Sequence, residues 1–123
     1  MSTGFLFDEN LPLAVSAQLR RKAPAARVFA VGYSDAPAKS TPDSELLIWL
    51  EVHDCWLVAN NRASMPGHLR DHLAEGRHIL GILVTPAPLN FGELIETLIL
   101  VSGASFPDEF RDRIEYLSRF RRS

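Results

Sequence analysis

The chain has 123 residues, the length of one ordinary domain, with an apolar fraction of 46% and a charged fraction of 23% that suit a packed core. A formal charge of −2 excludes a general basic coat for nucleic acid, so any RNA contact must be local. A single cysteine, Cys55, excludes an intramolecular disulfide and a Cys-rich zinc cluster.

Gly4-Phe5-Leu6-Phe7 is a short apolar run of strand type, closed by Asp8, Glu9 and Asn10. Pro12 suits the first turn of a helix running through Leu13, Val15 and Leu19 to Arg20, Arg21 and Lys22, whose charges complement the negative end of the helix dipole. Arg27 to Gly32 reads as a second strand, and Tyr33 to Ser40, without periodicity, as an exposed loop. Thr41-Pro42-Asp43 announces a second helix with a hydroxyl cap, a proline at its first position and an acid in its first turn. Leu46, Leu47, Trp49 and Leu50 form its apolar face.

Cys55 to Ala59 is the third strand, followed by Asn60, Asn61 and Arg62; within it Cys55 reads as a buried, inert thiol. Ser64-Met65-Pro66 opens a third helix that Gly76 stops, and Ile79 to Val84 forms the fourth strand. Asn90 with Glu93 three residues later matches a capping box, opening a buried helix from Phe91 to about Val101. Phe110, Ile114 and Leu117, at spacings of three and four, predict an amphipathic C-terminal helix over about 106–121. Such a helix offers a surface for a homodimer.

Strands alternating with helical connections require a mostly parallel sheet, here of about four strands, covered on both faces. The expected fold is a single α/β domain, a three-layer α/β/α sandwich over residues 1–123. The run from Leu94 to Phe106 contains Glu96 and is too short to cross a bilayer, and no segment has the form of a secretory signal. The expectation is a cytoplasmic protein without membrane contact.

A parallel sheet points the carboxyl end of every strand toward one edge, where ligands bind. That edge should receive Asp8, Glu9 and Asn10 from strand one, and Lys39, Asp43 and Glu45 from the loop and helix after strand two. Strand three adds Asn60, Asn61 and Arg62. Carboxylates and amides with a cation on the rim suit a hard ion, Mg²⁺ or Mn²⁺. Two readings stand side by side for each residue. Asp8 can cap a turn, Asp43 can satisfy a helix dipole and Asn60-Asn61 can form a turn; all of them can instead share one metal site.

Three blocks, F-L-F-D-E-N-L-P, P-D-S-E-L-L-I-W and W-L-V-A-N-N-R, resemble the PIN-like family of small toxin-type nucleases, relatives of the VapC ribonucleases, over Phe5 to about Ile99. The resemblance implies a Mg²⁺- or Mn²⁺-dependent phosphodiesterase acting on RNA, neutralised by a cognate antitoxin protein. It carries the first and second metal-binding acids onto Asp8 and Asp43, the catalytic pair. Asn61 stands where the family has an acid and would be a weaker oxygen ligand. Asn10 would orient water or a carboxylate, and Asn60, Lys39 and Arg62 would meet the RNA. An amide carries no charge and cannot act as a base. Asn61 therefore opens an alternative: a catalytically impaired PIN-like module that binds RNA or a protein partner without cleavage.

Other constellations are weaker. His68 and His72 in H-L-R-D-H lie one helical turn apart without a third zinc ligand, and read as a solvated helix face. A phosphoacceptor receiver domain needs an aspartate after its third strand, where Asn60-Asn61 stand. No glycine-rich phosphate loop follows strand one.

Overall fold

A computed structural model describes residues 3–60, 62–85, 90–104 and 109–117. The elements are β1 (Gly4–Phe7), α1 (Leu13–Lys22), β2 (Arg27–Ala30), α2 (Asp43–His53), β3 (Cys55–Ala59), α3 (Met65–Ala74), β4 (Ile82–Val84), α4 (Phe91–Ala104) and β5 (Ile114–Tyr116). They build one five-stranded sheet in the order β2-β1-β3-β4-β5, with every neighbouring pair parallel. The expected α/β sandwich is present, with one strand more than foreseen.

Strand periodicity assigns the two faces. Phe5 and Phe7 of β1, with Trp56 and Val58 of β3, pack beneath α1 and α4 through Val15, Leu19, Leu94, Ile95, Leu98 and Val101. Leu6, Cys55, Leu57 and Ala59 face the other way, beneath α2 and α3 through Leu46, Leu47, Leu50, Met65 and Leu69. Every residue of β1 and of β3 is buried, as central parallel strands require. The chain turns from β1 out to β2 and then returns to β3 on the far side of β1. The topological switch point therefore falls between β1 and β3.

Three sequence expectations change. The C-terminal amphipathic helix over 106–121 is absent from residues 109–117, which form a turn and β5; the remainder of that span, 105–108 and 118–121, lies outside the described residues. The apolar spacing of Phe110, Ile114 and Leu117 is met another way. Phe110 and Leu117 join the α1/α4 core, while Ile114 packs against the α2/α3 core. The open edge of β4 decides between the two forms, because its backbone groups gain partners from a fifth strand but none from a helix. A homodimer through that helix loses its basis. Second, Thr41 does not cap α2: its hydroxyl donates to the Ala38 carbonyl at 2.6 Å, and Pro42 occupies the cap position without a side-chain bond. Third, α4 buries one side only, with Leu100 56% exposed. The Asn90 cap does form, Oδ1 accepting the Glu93 N–H at 3.0 Å.

Among the described residues, no helix is long and apolar enough to cross a membrane.

Candidate active site

Asp8 is the residue after β1, two positions beyond Leu6, so alternation turns its side chain toward the α2/α3 face. Its backbone continues the ladder, its N–H donating to the Val58 carbonyl at 3.0 Å. Asp43 opens α2 on the same face, where the helix dipole favours an acid. Both carboxylates meet at Arg62, which follows β3. Arg62 Nη1 lies 3.0 Å from Asp43 Oδ1 and 3.7 Å from Asp8 Oδ1. The two acids, distant in sequence, are therefore separated by no more than those two legs.

Burial makes the arrangement electrostatically tense. Asp8 is 3% exposed, and its Oδ2 has no hydrogen-bond partner. Desolvation is the largest influence on its carboxyl and pushes the pKa above the ordinary carboxylate range; Arg62 and the Glu9 backbone N–H pull the other way, and the charges of Glu9 and Asp43 add repulsion. Arg62 Nη1 is itself buried without an aligned hydrogen bond, so its contacts with the acids are ion pairs by distance. An orphaned carboxylate oxygen beside a second carboxylate fits a hard divalent ion, since Mg²⁺ commonly takes one or two protein carboxylates and completes its shell with water. Among the described residues no group of three or more His, Cys, Asp or Glu adds further ligands. The donor set is two acids, with a guanidinium as their present counter-ion.

The remaining predicted residues divide. Asn61 lies outside the described residues. Asn60 is exposed, and its Oδ1 accepts from the Thr85 hydroxyl at 3.0 Å, tying the ends of β3 and β4 together. Asn10 is exposed on the turn after β1, and no hydrogen bond among the described residues ties it to Asp8, Asp43 or Arg62. Lys39 is exposed on the rim and shares with Asp8, Glu9 and Leu11 a crevice of about 210 Å³ at the ends of β1 and β2. Arg62, expected on the rim, turns inward. Glu45 is exposed and takes no part.

Three contributions were not foreseen. Glu9 accepts the Ser40 N–H at 2.7 Å and so pins the loop that leads into α2. The Ser64 hydroxyl, just before α3, donates to Asp43 Oδ2 at a long 3.5 Å. His68 Nε2 stands 3.9 Å from the same oxygen. The placement of Ser64 and His68 at the start of α3 was legible; their approach to Asp43 depends on how α2 and α3 pack. His72, grouped with His68 as a solvated face, is instead buried, with Nε2 3.1 Å from Glu51 Oε1 and 3.2 Å from the His78 carbonyl. Cys55 is buried as expected, and desolvation raises its thiol to about 11, so it is no nucleophile.

No family model matches the chain, and neither a curated protein nor a solved structure matches it. The site has to be argued from its own chemistry.

Proposed function

We propose that the chain is a PIN-like ribonuclease dependent on Mg²⁺ or Mn²⁺. The observation that carries the reading is the convergence of Asp8 and Asp43 on one point at the switch point, with Asp8 Oδ2 buried and unpartnered. A buried carboxylate oxygen without a hydrogen-bond partner is costly, and stability alone gives no reason to keep one at a ligand-binding edge. Asp8 and Asp43 would hold the ion, which when bound supplies an activated water and charge stabilisation at a phosphate oxygen. Asn61 is a further oxygen donor in this reading. Arg62, released from the acids, offers its planar fork to the RNA backbone, while Lys39 meets a phosphate as a point charge. Asn10 and Asn60 face the solvent side, where substrate arrives. The toxin setting and a cognate antitoxin rest on the resemblance of the three sequence blocks, and a cytoplasmic place of action goes with that setting.

The test is cleavage of single-stranded RNA by purified protein with Mn²⁺, compared with Asp8→Asn and Asp43→Asn. Each variant is expected to lose at least about a hundredfold, the scale of removing one essential electrostatic group. Activity unchanged in both variants, or independent of Mn²⁺, would refute the reading. A second reading is favoured by Arg62, which already neutralises the acids: a module that binds RNA or a protein partner without cleaving. It requires affinity indifferent to chelator and no Mn²⁺-dependent turnover.

A further inference from the structure

Both tyrosines of the chain lie at the edge that carries the candidate site. Tyr33 follows β2 and Tyr116 ends β5, so the all-parallel sheet sets one at each end of the row of carboxyl-terminal loops. Each is 46% exposed, whereas every phenylalanine among the described residues is at least partly buried. The rings are not gathered into one apolar patch, as a protein-docking surface would gather them. They stand apart and flank the acids. Tyr33 lines the crevice of about 210 Å³ that holds Asp8 and Lys39; Tyr116 lines a narrower one with Asn60, Arg62 and Pro66.

The Tyr33 side is built around a cation. Gly32 has φ +92°, and a β-carbon there would stand 2.8 Å from Lys39 Cγ, so the lysine stem lies across the glycine. This delivers Lys39 Nζ to 5.9 Å from the Tyr33 ring centroid. A ring that accepts a base, beside a cation that accepts a phosphate, is the pairing that single-stranded nucleic acid uses. The four strand spacings from β2 to β5 span about 19 Å at ~4.8 Å each. A stacked strand rising ~3.4 Å per residue would cross that width in about six nucleotides.

We propose that Tyr33 and Tyr116 are stacking platforms that hold a single-stranded nucleic acid across Asp8, Arg62 and Asp43, with Lys39 on its backbone. This rests on the nucleic-acid reading of the same site and adds to it the residues that hold the strand. Paired bases keep their faces inside the duplex and gain nothing from an exposed ring, so the surface selects unpaired strands.

The experiment is fluorescence anisotropy with a labelled ten-nucleotide single-stranded RNA and its duplex, in EDTA, using wild type, Tyr33→Ala, Tyr116→Ala and the two Phe variants. Each Ala variant is expected to weaken single-strand binding roughly 5- to 100-fold, the cost of one lost base stack. Phe should restore it to within about twofold, because stacking needs the ring and not the hydroxyl. Duplex binding should be weaker and indifferent to all four changes. Wild-type affinity in both Ala variants, failure of Phe to rescue, or no RNA binding at all overturns the proposal. Tyrosine-dependent binding without Mn²⁺ turnover keeps it and removes the nuclease reading. Mn²⁺ cleavage with an unchanged KM in both Ala variants does the reverse. Circular dichroism checks the fold of each variant, and both rings lie outside the buried core.

Discussion

Arg62 occupies the place where two carboxylates need a cation, and this gives the residue two opposed effects. It stabilises the ion-free protein and competes with any divalent ion for Asp8 and Asp43. Arg62→Ala is expected to lower stability in chelator by about 2 kcal/mol, below the usual cost of breaking a buried pair because the arginine side chain keeps some solvent exposure. The same change should tighten Mn²⁺ binding by about tenfold, a difference of about 1.4 kcal/mol. Thermal melts with and without Mn²⁺ check both directions together. Asp8 makes the converse case. Its folded pKa is raised, chiefly by desolvation, so its contribution to stability is present at low pH and is lost as pH rises through that value. Asp8→Asn should therefore melt higher than wild type at neutral pH, with the gap closing toward acid pH, while Mn²⁺ binding disappears. A lower melting temperature at pH 7 would contradict the burial argument. At this scale the sequence showed which residue types gather at the edge, because chain order alone delivers Asp8, Asp43 and Arg62 there. The inward turn of Arg62 was hidden, because an arginine's direction depends on rotamers and on the desolvated charges it meets.

Among the elements, β5 shows how a correct residue pattern produced the wrong structure. Spacings of three and four fit a helix face, but they also fit a turn followed by a strand whose side chains divide between two cores. Nothing local distinguishes the two, and the deciding partner, β4, lies some thirty residues earlier. The turn that sets β5 in place depends on Asp112 at φ 61°, a left-handed conformation that aspartate tolerates. Its Oδ1 accepts the Ile79 N–H at 2.8 Å and its Oδ2 lies 2.8 Å from His78 Nδ1. Burial alone would raise this carboxyl, but the Ile79 bond and His78 outweigh it and hold the pKa below the ordinary value. Asp112 thus contributes stability above the unfolded carboxylate pKa and loses it as pH falls through the depressed folded value. Asp112→Asn is expected to cost about 1–2 kcal/mol at neutral pH and nothing in strong acid, the reverse of Asp8, measured by urea unfolding across pH. Gly81 completes the junction. It has φ +146°, and a β-carbon there would come within 2.7 Å of the Phe110 carbonyl oxygen, so Gly81→Ala should destabilise by more than about 2 kcal/mol in the same assay.

For the whole molecule, topology turns a dispersed set of residues into a site. Because all five strands are parallel and the order reverses between β1 and β3, Asp8 and Arg62 leave adjacent strands, and α2 starts beside them with Asp43. The strand–helix alternation of the sequence was enough to foresee the sandwich, and with it the shared edge. Distances between side chains, and the extra strand, required tertiary packing. The claim on which the functional account rests is that Asp8 and Asp43 bind one ion jointly. Mn²⁺ titration calorimetry on wild type, Asp8→Asn, Asp43→Asn and the double variant tests it most directly. A shared ion should make either single change as damaging as both together, a strongly non-additive cycle. Two independent, additive losses, or unaltered binding in either single variant, would contradict it.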